Sequence, residues 1–201
     1  MIVVESEIAS IGSNAFKGFS SLQSLDIPDT VTGISKDAFA DCSSLTSGTV
    51  GTIVWDFDRI TNKVSIGGSG VLKHDSTSFF APWNLRLRDA SSVFIGNGIT
   101  TIPEGMFSGL TNLERVFLGK NVKTIGNSAF KGCNKLSAIT VEGTNTNYKS
   151  IDGVLFETKD KVMLSHYPQG KEGETYIIPS DVVAIASGAF DSATHLKQLF
   201  F

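Results

Sequence analysis

Cysteine and histidine are scarce here, with 2 and 3 copies in 201 residues, and each shortage removes a class of answer. Two cysteines cannot build a disulfide framework of the kind that staples small secreted domains. His74, His166 and His195 stand far apart with no HExxH pattern and no Cys/His cluster, so the chain carries no metal-site signature. Long apolar runs are missing too, and no stretch approaches the ~20 residues of a membrane-spanning helix. Charge is not one-sided: the formal net charge is -3, and Lys and Arg occur singly. No basic run therefore addresses nucleic acid or an anionic membrane. There is no Asn-x-Ser/Thr sequon, and the opening MIVVESEIAS has no basic leader followed by a long apolar stretch, so no signal peptide is visible.

Catalytic patterns are equally thin. No Walker sequence or dinucleotide glycine fingerprint occurs. Gly67-Gly68-Ser69-Gly70 is not a nucleophile elbow, because Val71 stands where the second glycine belongs. Asp56 and Asp58, two apart, share one face of a strand, but Ile60 and Thr61 break any calcium-loop continuation. A solvated hairpin face accounts for the pair. The expectation is a protein that is not an enzyme and uses no cofactor and no metal.

Glycine, by contrast, is abundant at 20 copies, and hydrophobic residues make up 41% of the chain, enough for a substantial core. One phrase recurs five times: two aliphatic residues three apart, then a small residue beside Phe. It runs Ile8 and Ile11 to Ala15-Phe16, then Val31 and Ile34 to Ala38-Phe39. The later copies lead to Met106-Phe107, Ala129-Phe130 and Ala189-Phe190. Phe16 to Phe39 is 23 residues, and so is Phe107 to Phe130. A fixed period in this range means stacked coils, none of which buries its apolar face alone.

Within each coil, period-two alternation such as Leu25-Asp-Ile27 or Val116-Phe-Leu118 predicts a short strand upstream of the doublet. Turn-forming residues follow, for example Pro28-Asp29 and Gly119-Lys120-Asn121. The segment before Ala-Phe has Ser, Asn and Asp placed to cap a single helical turn. Stacking aligns the strands into a parallel sheet, the helical turns on the other side, and the phenylalanines into a ladder along the core. Cys42 and Cys133 each follow the repeat Phe by three residues. They lie at least two coils apart, beyond the roughly 7 Å reach of a disulfide, and both are expected as buried core residues.

The string Leu-x-x-Ile-x-Ile/Leu-Pro-x-x-Val-x-x-Ile-Gly-x-x-Ala-Phe-x-x-Cys resembles the repeat of BspA-like leucine-rich repeat proteins. Val122 to Val141 is the cleanest copy. The resemblance implies an α/β leucine-rich-repeat solenoid with a parallel β-sheet on the concave face, short helical turns on the convex side and two β-hairpin insertions. It also implies a secreted or cell-surface protein of adhesion type, whose partner is a host matrix or cell-surface protein. Met1 to Val4 starts as a strand already under way and LKQLFF ends inside one, with no polar cap at either end. Residues 1–201 are therefore expected to form one repeat domain, a fragment of a longer array.

The period breaks twice, with insertions expected at about 48–89 and 142–172. In the first, the repeat dissolves at Gly48, and 52–58 with 63–67 make a hairpin, followed by the segment Ser78 to Trp83. In the second, 153–157 and 161–167 make another. What remains is surface. The central outward column of the sheet is expected to contain Val3, Asp26, Phe94, Phe117, Thr140, Ile177 and Phe200, flanked by polar residues including Glu114 and Arg115. Phe94, Glu114, Arg115, Phe117, Thr140, Ile177 and Phe200 are the candidate ligand-binding residues. An apolar stripe with a polar rim has the anatomy of a protein-binding patch, unless a hairpin folds across it. Two other readings stand beside it: spacer repeats with no ligand of their own, and carbohydrate recognition by Trp55 and Trp83.

Overall fold

The computed structural model describes residues 1–72 and 81–201; His74 and the Ser78–Phe80 part of the first insertion lie outside the described residues. Strands form where the two-residue alternation places them. Ser24–Ile27, Ser92–Ile95 and Arg115–Leu118 each bury two aliphatic side chains and turn the residue between them outward. Arg115–Leu118 pairs in parallel, residue for residue, with Ser92–Ile95 on one side and Ala138–Val141 on the other. These strands belong to an eight-stranded sheet ordered Ile2–Val3, Ser24–Ile27, Ser47–Val50, Ile53–Asp58, Lys63–Gly68, Ser92–Ile95, Arg115–Leu118, Ala138–Val141.

Two further backbone ladders close each coil. The aliphatic doublets pair in parallel, Ser10–Ile11 with Gly33–Ile34 and Ile99–Ile102 with Thr124–Ile125. The Ala-Phe segments bond from coil to coil as well: Phe16 N–H donates to Ala38 O at 2.8 Å, and Phe107 N–H to Ala129 O at 2.9 Å. The result is a solenoid of stacked coils.

The expected helical turns do not form. The Ala-Phe segments bend as successive tight turns, such as Ala15 N–H to Gly12 O and Lys17 N–H to Asn14 O. Each run is interrupted by a left-handed residue: Asn14, Asp41, Ser128 and Ser192 have φ of 59°, 62°, 54° and 59°. A right-handed helix cannot continue through that conformation. Asn84–Leu87, in the first insertion, is the one helix among the described residues.

The aromatic ladder is interrupted at each insertion. Phe16 stacks on Phe39 and Phe107 on Phe130, both at 5.5 Å. Between those pairs the core holds Trp55 and Trp83, both fully buried. Beyond Phe130 the ring of His166 follows at 5.2 Å, and Tyr167 contacts Phe190 in a second, smaller core cluster. Cys42 and Cys133 are free and buried. Each thiol also donates to the carbonyl of the preceding coil's Phe, Cys42 to Phe16 O at 3.1 Å and Cys133 to Phe107 O at 2.9 Å. Burial pushes the Cys133 thiol up to about 11.

Both insertions are woven into the ladders. The repeat does not dissolve at Gly48, because Ser47–Val50 continues the sheet beside Ser24–Ile27. A Cβ at Gly48 would lie 1.9 Å from Leu25 O, so glycine lets the strand pass at this distance with buried Trp55 paired opposite it. Ile53–Asp58 and Lys63–Gly68 then pair antiparallel, and Lys63–Gly68 returns to parallel pairing with Ser92–Ile95. In the second insertion, Tyr148–Ile151, Val154–Glu157 and Met163–His166 form an antiparallel run. Met163–His166 joins Ala184–Ile185 in the doublet ladder. The turn at Asp152-Gly153 covers the outer edge of the large sheet, where Ile139 N–H donates to Gly153 O at 2.8 Å and Ser150 Oγ to Ile139 O at 2.6 Å. That edge is closed, and Thr175–Ile177 pairs instead with Gln198–Phe200 in a separate two-stranded sheet.

Candidate functional site

Residues two apart on the sheet strands share its outward face. Phe94 and Phe117 are register partners, and their rings stack 4.8 Å apart and 3° from parallel. That distance equals the separation of neighbouring strands, so the sheet itself sets the ring spacing. Phe94 is 41% exposed and Phe117 half-buried. Neither hairpin crosses them: the first enters the sheet edge-on and the second seals its far edge. Thr140 continues the row on one side, exposed and donating Oγ1 to Val116 O at 3.2 Å. Ser65, Asp56, Ser47 and Ser24 continue it on the other. The adjacent row carries Asp58, Lys63, Ser92 and Arg115, and exposed Glu114 precedes Arg115.

The expected seven-residue column therefore splits into three parts. Val3 and Asp26 pair with each other but align with Thr49, Val54 and Gly67, two residues out of step with the Phe row. The cause is the first hairpin. Its inward Trp55, Phe57, Val64 and Ile66 fix their own register, and a pairing that buries one face allows no compromise. Ile177 and Phe200 do face each other, at 72% and 52% exposure, but on the separate two-stranded sheet. The structure thus brings together Phe94, Phe117, Thr140, Arg115 and Glu114, and sets Ile177 and Phe200 apart.

Other candidates resolve as structural. Trp55 and Trp83 are 1% and 0% exposed, so neither presents a ring to a sugar. Asp58 is occupied by its own hairpin turn, accepting from Ile60 N–H at 2.8 Å and Thr61 Oγ1 at 2.6 Å. The Thr61 hydroxyl and the loop amides hold its carboxyl below the usual range. Among the described residues no three His, Cys, Asp or Glu side chains converge as a metal site. One residue carries more than its sequence context announced. His166 lies against Phe130 with Nε2 buried and without a hydrogen-bond partner among the described residues. Burial depresses its pKa to about 4, with Asp191 pulling the other way. No local pattern flags it, because its setting depends on Met163–His166 pairing with a segment 21 residues away.

A sequence model of the BspA-type leucine-rich repeat region matches residues 1–62 and 85–172, in six copies. The chain belongs to this family. Two solved structures are similar to this one. The pneumococcal vaccine antigen PcpA superposes with a TM-score of 0.52 at 22% identity, over 96% of this chain and 50% of that one. A leucine-rich cell surface protein of Faecalibacterium prausnitzii gives 0.49 at 23% identity, over 99% and 60%. This BspA-type chain thus spans half to three fifths of the length of those two, and the likeness to PcpA, at 22% identity, concerns the fold alone. No curated protein matches the sequence.

Proposed function

We propose that this BspA-type repeat chain is a non-catalytic, extracellular or cell-surface protein that binds a protein ligand through the outward face of its large sheet. The observation that carries the reading is the Phe94–Phe117 stack on the outward sheet face, toward its Ala138–Val141 end, in a row whose other members are polar. Ring stacking pre-pays the ordering of both side chains, and rigid aromatics inside a polar rim are the usual anchors of protein interfaces. Phe94 and Phe117 are the anchors, Glu114, Arg115 and Thr140 the specificity rim, and Ile177 with Phe200 a second apolar contact strip. The partner is a matrix or cell-surface protein in an adhesion role, in keeping with the family. The chain acts as one repeat domain, with insertions at about 48–89 and 142–172 that shape the face.

A spacer role is the second reading. Ser24, Ser47, Asp56 and Ser65 make half of the Phe row short and polar, as a surface with no ligand would be. Binding of wild type and Phe117→Ser to immobilised matrix proteins, with thermal unfolding alongside, separates the two. Losing half of an aromatic pair costs about 1 kcal/mol, or about 2–4 °C in a chain of this size. The expected result is loss of a specific signal with no larger shift in Tm. Unchanged binding by the variant contradicts the proposal, and no binding by either protein favours the spacer.

A further inference from the structure

In the regular part of the stack, each Ala-Phe segment leans on the next coil through its backbone. Gly105, Phe107 and Gly109 donate N–H to the carbonyls of Asn127, Ala129 and Lys131 at 3.1, 2.9 and 2.7 Å. One period of 23 residues later the equivalent donors are Ser128, Phe130 and Gly132. None of these three amides has an acceptor among the described residues. The second insertion is the cause. The next Ala-Phe segment bonds to the insertion instead, Ala186 N–H to Leu164 O at 2.9 Å and Tyr167 N–H to Ala189 O at 2.7 Å. A cleft of about 400 Å³ is left where a coil's backbone is missing, with Ser128 and Phe130 on one wall, Ser187 and Asp191 on the other, and His166 between. The carbonyls of Ser187 and Asp191 accept nothing among the described residues, and His166 Nε2 is buried without a partner.

We infer that this cleft is a second binding site, separate from the sheet face, and that it takes a short peptide segment of a partner protein, bent as the chain's own Ala-Phe segments are, whose carbonyls accept the N–H groups of Ser128 and Phe130. Open backbone donors along one edge are matched by the carbonyls of an added backbone, the principle that strand addition exploits elsewhere. One coil earlier the acceptors are three carbonyls two residues apart, on a segment that bends in tight turns through left-handed Ser128. Lys131 stands with Glu157 and Asp191 in the lining, so no single charge sign favours a phosphate or other anion. The volume lies at the lower end of the ~300–1,000 Å³ typical of ligand sites, which suits a short segment. The chain's own Phe16 and Phe107 segments are already paired within the stack, so neither of them fills the cleft.

Backbone amide NMR tests this in two steps. In the free protein, hydrogen exchange at Ser128, Phe130 and Gly132 is expected to outpace that at Gly105, Phe107 and Gly109. The probe is acetyl-Asn-Ser-Ala-Ala-Lys-amide, the stretch that pairs with this edge one coil earlier, its Phe shortened because His166 already fills the ring slot. Saturating shifts at the Ser128 and Phe130 amides are expected, with a Kd on the order of 1 mM. Ser187→Trp, at an exposed position on the cleft wall, should weaken binding about tenfold or more, whereas Phe94→Ser should leave it unchanged. Three results overturn the inference: a Phe130 amide as protected as Phe107, no shift at about 10 mM peptide, or shifts that persist in Ser187→Trp.

Discussion

Acidification should weaken this solenoid through one residue. His166 has a folded-state pKa of about 4 against an ordinary 6.5, because burial against Phe130 disfavours the imidazolium. Asp191 opposes the shift, and Lys131 and Glu157 line the same cleft. The unfolded chain takes up a proton as pH falls through 6.5, while the folded chain holds out to about 4. Stability is therefore complete above about pH 6.5 and is lost between there and about pH 4. A difference of 2.5 pK units caps the loss at about 3 kcal/mol, of which about 2 kcal/mol has gone by pH 5. The assay is urea unfolding at pH 7.5 and pH 5.0 on wild type and His166→Phe, which continues the ring ladder without a titrating group. Carboxylates held low, such as Asp58 and Asp181, contribute equally to both proteins and cancel. Wild type should lose about 2 kcal/mol more than the variant. Equal losses would refute the argument.

Three further outcomes follow from packing. Gly12 and Gly126 occupy the same slot after the doublet, yet a Cβ at Gly126 would meet Glu104 N at 2.2 Å whereas Gly12 has nothing within 4 Å. Gly126→Ala should cost about 1–3 kcal/mol or more in chemical denaturation, and Gly12→Ala should be neutral or stabilise by up to about 1 kcal/mol. Phe107→Ala, which empties a fully buried site, should cost about 3–5 kcal/mol, against about 1 kcal/mol for Phe94→Ser at the exposed end of its stack. Cys42 and Cys133, both buried and with thiol pKa values raised, should resist iodoacetamide at pH 8 until the chain is unfolded, as followed by mass spectrometry.

The coil was legible because its signals are local and repeated. Leu25-Asp-Ile27 announces a strand by itself, and the 23-residue return of Ala-Phe announces the stack. The hairpin strands were legible for the same reason, since Val54, Asp56 and Asp58 alternate with buried neighbours. How the hairpins join the stack was not, because that is decided between distant segments. Gly48 looked like a defect until its close approach to Leu25 was visible. The two-residue offset that separates Asp26 from Phe94 depends on the hairpin's buried side chains, and no single strand records it. Left-handed Ser128 and Ser192 put tight turns where a single helical turn is expected, and serine carries little signal for that conformation. The cleft behind His166 is more remote still, since it exists only because Met163–His166 takes a slot in the doublet ladder beside Ala184–Ile185.

The most direct test of the central claim is the affinity of one matrix ligand for three proteins: wild type, the double variant Phe94→Ser/Phe117→Ser, and Lys123→Ser, an exposed change just before the doublet-ladder strand Thr124–Ile125. Truncating anchor residues typically costs about 2 kcal/mol or more, roughly 30-fold in Kd. The account predicts that loss for the double variant and wild-type affinity for Lys123→Ser. Equal affinities across all three would contradict it.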